Sequence, residues 1–275
     1  MNGMAGIVAK VDGWIQGTAI GVYQYFTLAG RASRFIVARP FYWRDALRQM
    51  DRMGVGTLPI LLLTGLFTGM VLALQSSVAL QRFGADMYVG SLVGVSMVRE
   101  LGPVLAALIF AGRVGSGIAA EIGSMRVTEQ LDALQSFGTD PIKKLVTPRI
   151  IAGVSMLPIL TIVTNAVGIF GGLVVTVYAV GISADVYLSG VWSTLAQSGF
   201  IFGVFPRDFV VGLAKPLVFG GVIALTGCYY GMAARGGTEG VGLATTRAVV
   251  TASILVLVVN YFLTQLLMVL MPARG

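Results

Sequence analysis

The stretch LPILLLTGLFTGMVLAL, residues 58–74, belongs to an uncharged run that extends from Arg52 to Arg82. A helix needs about 20 mostly apolar residues to cross the hydrocarbon core of a bilayer, and this run is long enough. The whole chain has the same character, because 56% of its 275 residues are hydrophobic and 11% are charged. An average soluble domain has roughly 25% charged residues. The sequence therefore predicts an integral membrane protein.

Further apolar runs predict an all-α, polytopic membrane protein with about five transmembrane helices. The second span is predicted from Met87 to about Gly117 and is interrupted by Arg99 and Glu100. The other spans are predicted between Arg52 and Arg82, after Arg149 to Ala184, after Lys215 to Gly231, and between Arg247 and Arg274. Residues 186–206 are also uncharged, but serine, threonine, glutamine and glycine lower their hydrophobicity. We interpret this segment as an interfacial helix in an external loop, with a sixth span as the alternative.

The N-terminal residues combine large aromatic side chains with basic ones. The aromatic residues include Trp14, Tyr23 and Phe26, and the basic residues include Arg31 and Arg34. This combination is typical of a helix that lies in the membrane interface. We therefore expect an amphipathic interfacial region at 1–52, followed by a transmembrane domain at 53–275.

The distribution of lysine and arginine predicts the orientation of the chain. With the N-terminus in the cytoplasm, most of the 19 basic residues lie in cytoplasmic segments, and only Arg82, Arg207 and Arg274 lie outside. Cytoplasmic loops of membrane proteins are enriched in lysine and arginine. The N-terminus is thus expected in the cytoplasm and the C-terminus on the external, periplasmic side.

Several kinds of chemistry find no support in the sequence. The chain has no histidine and one cysteine, Cys228, so neither a metal site nor a histidine-based catalytic centre is expected. No phosphate-binding loop of the form G-x-x-x-x-G-K-[ST] occurs, so any ATP that drives the protein binds to another chain. We attribute the net charge of +7 to orientation and to contact with anionic headgroups, not to nucleic acid.

The motif MVRELGP places two charges within the second predicted span. Arg99 and Glu100 are followed by Gly102 and Pro103, which predict a broken helix whose charges line a cavity. Charges at membrane depth are costly and usually functional. In the alternative, the two charges pair with Lys215 or with an external loop and only stabilise the packing. Lys215 is placed at the start of a span, where lysine often snorkels to the interface.

A cytoplasmic segment, EIGSMRVTEQLDALQSFGTDP, has apolar residues near helical spacing. Its charged face consists of Glu121, Arg126, Glu129 and Asp132. Gly138 and Pro141 are expected to end the helix. Such a helix suits docking to a soluble partner, but it could equally pack on the headgroups.

The run from Met97 to Arg149, together with TTRAVVTAS and GLAKPLVFG, resembles the MlaE/YrbE-type permeases from about Arg44 to the C-terminus. The resemblance implies a homodimer in the inner membrane that binds a cytoplasmic ABC ATPase, which holds ATP and Mg²⁺, and a periplasmic MCE-domain protein. In Gram-negative bacteria a STAS-domain protein often joins the ATPase. Such complexes move phospholipid between the inner membrane and the periplasmic carrier and maintain outer-membrane lipid asymmetry.

The resemblance also implies roles for particular residues. The segment at about 119–137 corresponds to the coupling helix that contacts the ATPase. The lipid cavity at the dimer interface corresponds to Leu72, Leu80, Phe83, Arg99 and Glu100. Phe83 stands where some relatives carry tyrosine.

An ion-coupled secondary transporter of a lipid or another amphiphile is the alternative function. It would use Arg99, Glu100 and Lys215, and it predicts inverted internal repeats. The sequence contains no convincing repeat of this kind. An enzyme is disfavoured because no serine or cysteine lies beside a plausible general base.

Overall fold

The computed structural model describes residues 19–35, 42–197, 200–201 and 205–270. Within this part of the chain, five helical segments are long and apolar enough to cross a membrane, which confirms the predicted all-α, polytopic fold. We number them as spans one to five. They are Trp43–Gln81, Asp86–Val127, Ile142–Val180, Arg207–Met232 and Gly237–Leu270. The predicted N-terminal region lies partly outside the described residues, as does the C-terminus.

In the described part of the chain, three shorter helices accompany the spans. Helix α1 covers 19–35, which confirms a helix in the N-terminal region. The other two are α2 at Gln130–Ser136, after span two, and α3 at Ala184–Gln197, after span three. A two-residue antiparallel pair, Phe200–Ile201 with Phe205–Pro206, precedes span four.

Span one begins earlier than the charge pattern predicts. The helix starts at Trp43 and continues without interruption through the domain boundary expected after residue 52. Arg44, Arg48 and Arg52 therefore belong to its first turns. A helix can extend beyond the hydrocarbon core, so charges at its end mark the membrane surface and do not end the helix.

Span two is one continuous helix, and the break predicted at Gly102 and Pro103 is absent. A π-helical turn at Met97–Leu101 precedes the proline, and a second one lies at Ala111–Gly115. Pro103 follows directly at the start of the next α-helical segment, where it is tolerated best. The wider π turn accommodates the proline without ending the helix.

Close helix contacts hold spans one and three together. Gly69 packs against the backbone of Gly168, and a Cβ atom at Gly69 would overlap the Gly168 carbonyl group. Gly65 has a similar position one turn earlier, beside Thr164. Small residues let two helices approach closely, which is the main source of packing energy between helices in a bilayer.

Span five packs against spans two and four through a narrow stripe of buried residues. Ala244, Ala248, Ala252 and Val256 recur at every fourth position and are its buried residues. Large apolar side chains such as Leu257 and Phe262 point away from the rest of the protomer. The outer face of span five is thus available to lipid or to another subunit.

Helix α3 does not form a sixth span. Its 14 residues extend over about 21 Å, less than the roughly 30 Å of a hydrocarbon core. It packs instead on span two, where Gly90 lies against the Tyr187 backbone. The Tyr187 hydroxyl donates to the Ile169 carbonyl at 3.0 Å, and burial raises the pKa of this phenol, so it remains a neutral donor.

The segment predicted as one coupling helix at about 119–137 is divided in the structure. Span two ends at Val127, and α2 begins only after Glu129, which adopts the left-handed conformation at φ 59°. The predicted stop at Gly138 is confirmed. Gly138 has φ 72°, and the Thr139 amide donates to the Leu134 carbonyl at 3.0 Å, which caps the last turn of α2.

Candidate functional site

Four charged residues meet between spans two and four. Arg99 forms an ion pair with Asp208, and Lys215 Nζ lies 2.5 Å from Glu100 Oε1. Lys215 is only 1% exposed, and Asp208 is buried as well. Two cations and two carboxylates make the network neutral overall. This balance lowers the cost of placing the charges inside the protein.

Lys215 has a second role in this network. Pro103 lacks an amide hydrogen, so the Arg99 carbonyl loses the donor that an α-helix would supply from that position. Lys215 Nζ donates to this carbonyl at 3.0 Å. The lysine therefore satisfies both the Glu100 carboxylate and a backbone group that the proline leaves without its partner.

The expectation that Lys215 snorkels from the start of a span is wrong. Span four begins at Arg207, so Lys215 lies two turns inside the helix, with Asp208 in the first turn. Its ammonium group faces span two rather than the membrane surface. A strong local partner, the Glu100 carboxylate, makes burial more favourable than snorkelling.

Span five completes the network around Glu100. Asn260 Nδ2 donates to Glu100 Oε2 and Thr264 Oγ1 donates to Glu100 Oε1, each at 3.3 Å. Sequence reasoning missed Asp208, Asn260 and Thr264. Asn260 and Thr264 are four residues apart, so they share one helical face, and this polar pair in an apolar span was the available signal.

Arg99 and Glu100 remain accessible despite their partners. Their side chains are 41% and 43% exposed in the protomer. A guanidinium group has five N–H donors, and the ion pair with Asp208 uses only part of them. Arg99 can therefore hold Asp208 and still bind an anionic group of a ligand.

An open groove of about 370 Å³ lies near this network, between spans one and two. It is lined by Phe67, Thr68, Val71, Leu72, Gln75 and Leu101. Leu72 thus lies in an apolar groove, and Leu101 directly follows Glu100 on span two. Gln75, which sequence reasoning missed, adds a polar group to the same groove.

The other two predicted apolar cavity residues do not line this groove. Leu80 packs against the core cluster of Val93 and Met97, as do the groove residues Leu72 and Leu101. Phe83 lies beyond the end of span one and is 83% exposed. Of the five predicted cavity residues, Leu72 therefore lines the groove, and the other four do not. Arg99 and Glu100 directly precede the lining residue Leu101 on span two.

Three of the predicted coupling residues form one surface. Arg126 donates to Asp132 at 2.7 Å across the turn that Glu129 makes. These residues line a groove with the turn between spans four and five. The whole lining is Arg126, Val127, Glu129, Asp132, Ala234, Arg235, Gly236 and Gly237. We call it the loop groove.

Glu121, the fourth predicted coupling residue, does not belong to the loop groove. Its carboxylate lies 2.9 Å from the buried Arg149 on span three and 3.7 Å from Arg52 on span one. Because it joins three spans, Glu121 has a clear packing role. Glu121 and Arg126 lie on one continuous helix, five positions and about 140° apart, so their side chains point to different faces.

The fold and the site together define a class of protein. It is a polytopic α-helical membrane protein with a neutral ionic network in its spans and an open apolar groove. The chain belongs to the MlaE permease family, because the family model described as Permease MlaE matches residues 46–266.

Relatives come from distant organisms. A probable ABC transporter permease protein of Rickettsia prowazekii is 42% identical over 90% of this chain and 92% of its own length. The intermembrane phospholipid transport system permease protein MlaE of Haemophilus influenzae is 40% identical over 80% of this chain and 82% of its own. The chloroplastic protein trigalactosyldiacylglycerol 1 of Arabidopsis thaliana is 34% identical over 86% of this chain and 65% of its own.

Proposed function

We propose that this chain is the membrane-spanning permease subunit of an ABC transporter that moves phospholipid between the inner membrane and a periplasmic MCE-type carrier. Membership of the MlaE permease family and the similarity to the Haemophilus intermembrane phospholipid transport system permease protein support this proposal. The observation that carries it is an open apolar groove whose lining includes Leu101, two positions after the half-exposed Arg99 on span two.

This arrangement matches the two parts of a phospholipid. Leu72 and its neighbours in the groove supply an apolar surface for acyl chains. Arg99 supplies charge-assisted hydrogen bonds to a phosphate group. The negative charge of Glu100 is already compensated by Lys215. The bilayer already solvates acyl chains, so the groove needs only moderate affinity, and this favours release.

We expect Leu72→Trp to lower phospholipid transport by about tenfold, because the larger ring would occupy part of the groove that acyl chains need, and a steric cost of about 1–3 kcal/mol is one or two tenfold steps in affinity. The measurement is ATP-dependent transfer of labelled phospholipid from proteoliposomes that contain the complete complex. Leu74→Trp is the matched control, since Leu74 lies on the same helix, is exposed, and does not line the groove. Equal activity of both variants would place the lipid path elsewhere.

The same assay separates the two candidate functions. Transport that requires the ATPase and ATP supports the ABC permease. Transport by this chain alone, driven by an ion gradient, would instead support the secondary transporter.

We further propose that the side carrying α1 and the loop groove is cytoplasmic. Arg31 of α1 lies 3.0 Å from Asp140, and Arg235 shares the loop groove with Arg126, so these segments lie on one side. That side carries most of the basic residues of the described chain, as the positive-inside rule requires. Both chain ends lie outside the described residues; in this orientation the N-terminus is cytoplasmic and the C-terminus periplasmic.

The partners follow from this orientation. The loop groove faces the cytoplasm, and its charged rim suits docking of an ABC ATPase, which would hold ATP and Mg²⁺. The outer face of span five suits a second copy of this chain in a homodimer, since it presents large exposed apolar side chains. An MCE-domain protein would bind on the opposite side, and a STAS-domain protein would join the ATPase.

The double substitution Glu129→Lys and Asp132→Lys is expected to abolish ATP-dependent transport while leaving the fold intact. The Arg126–Asp132 pair is partly exposed, so its loss costs about 1 kcal/mol or less, but the reversed charges repel a partner that is complementary to the native surface. Co-purification of the ATPase and ATP-dependent transport are measured together.

Asp51→Lys is the control for this substitution, because Asp51 is exposed on the same side and does not line the loop groove. Normal assembly and normal transport by the double variant would show that the ATPase docks elsewhere.

A further inference from the structure

A second cleft, distinct from the lipid groove, lies between spans one and two on the side of the loop groove. Its volume is about 240 Å³. The lining residues are Gln49, Arg52, Met53, Arg113, Val114, Gly117, Ile118 and Glu121. Met53, Val114 and Ile118 are buried and form an apolar floor. The remaining polar side chains form a rim, so the cleft is apolar below and charged above. We call it the arginine cleft.

The charges around the arginine cleft do not balance. The single carboxylate of Glu121 is shared between Arg52 at 3.7 Å and Arg149 at 2.9 Å. Within the described part of the chain, Arg113 has no carboxylate partner. Its hydrogen bond goes to the Thr57 hydroxyl at 3.2 Å. Three guanidinium groups and one carboxylate therefore leave an excess of two positive charges.

Arg113 is held at a defined position inside the membrane segment. Its guanidinium group lies against Gly56 of span one, where any Cβ atom would overlap it. Arg52 is the last charged residue before the long uncharged run of span one, so Gly56 and Thr57 lie about one turn deeper. An ionisable residue at this depth without a protein counter-ion is a candidate for ligand binding. The π turn that carries Arg113 is also a feature frequent at functional sites.

We propose that the arginine cleft binds the phosphate group of a phospholipid in the leaflet on the loop-groove side. Arg52 and Arg113 donate to the phosphate oxygens, and the acyl chains lie over the apolar floor. Arg113 follows Arg99 by 14 positions, or about 20 Å along the helix, so the two arginines serve opposite halves of the membrane. The choice of a lipid over another phosphodiester rests on the proposed function.

Photocrosslinking on the purified full-length chain tests this proposal without the ATPase. A photoreactive residue at Gly117 would face open space in the cleft. Labelled phosphatidylglycerol in mixed detergent micelles is the probe. Loss of a charge-assisted contact typically lowers binding by about tenfold, so we expect Arg52→Gln and Arg113→Gln each to lower the adduct yield by that factor. Arg113→Lys keeps the positive charge but removes the planar guanidinium group with its paired N–H donors, so it should give an intermediate adduct yield.

Arg48→Gln is the matched control, since Arg48 is an exposed arginine one turn before Arg52 and does not line the cleft. Unchanged adduct in the Arg52 and Arg113 variants, or an equal loss in the Arg48 variant, would overturn the proposal. Soluble glycerophosphoglycerol is added as a competitor, and full displacement at equal concentration would overturn a lipid as the ligand.

The binding test and the transport test can fail separately. Adduct that depends on both arginines would support the cleft even if the complex did not transport phospholipid. Full ATP-dependent transport with no adduct at Gly117 would leave the proposed function intact and remove this site.

Discussion

Replacing Lys215 by methionine is expected to lower the free energy of unfolding by about 3 kcal/mol, the lower end of the cost of breaking a buried ion pair on one side, because Glu100 is 43% exposed. Methionine fills similar space, so the loss comes from charge and hydrogen bonding. The Glu100 carboxylate and the Arg99 carbonyl would both lose the ammonium group that they share. Thermal and denaturant unfolding of the purified chain in detergent measures the change.

Two further variants test this explanation. Lys144→Met removes an ion pair to Asp45 whose lysine is 35% exposed, and it should cost about 1 kcal/mol or less. Adding Glu100→Gln to Lys215→Met should restore part of the stability, because it removes the uncompensated carboxylate. If Lys215→Met cost no more than Lys144→Met, the network would not contribute to stability as we infer.

Gly69→Ala is expected to destabilise the contact between spans one and three by about 3 kcal/mol, at the upper end of typical overpacking costs. The added methyl group would overlap the Gly168 carbonyl. Backbone atoms of two long helices cannot move aside as a flexible side chain can, so the spans must separate. Lower unfolding temperature and lower yield of folded protein are the expected readouts.

Gly242→Ala is the control, since a Cβ atom at Gly242 meets nothing within 4 Å. Alanine is the better helix former, so this change should leave stability unchanged or raise it by up to about 1 kcal/mol. Similar behaviour of the two variants would contradict a close contact at Gly69.

The number of spans was predictable because it depends on local composition. Each uncharged run is long enough to cross the bilayer whatever its neighbours are. The ends of the spans were less predictable. Arg113 and Lys215 lie inside spans two and four, since Thr57 and Glu100 provide partners for them. Those partners come from other helices, so a search for charge-free runs cannot anticipate them.

The loop groove also contains a feature that the sequence pattern does not predict. Amphipathic spacing predicted a helical, charged segment and a stop at Gly138, both of which the structure contains. The spacing is continuous through Glu129, however, and does not reveal the left-handed turn there. That turn buries Leu131 and brings Arg126 to Asp132, so it is a consequence of packing rather than of local propensity.

By itself, the sequence determined the membrane environment, the five spans and the presence of charges within them, because these follow from residue composition along short windows. Only the tertiary structure decided which charges neutralise one another. Adjacent residues on a helix point about 100° apart, so Arg99 and Glu100 cannot pair with each other. Their partners, Asp208 and Lys215, are 109 and 115 residues away along the chain. The packing of span four against span two selects these pairs, and leaves Arg99 accessible near the lipid groove.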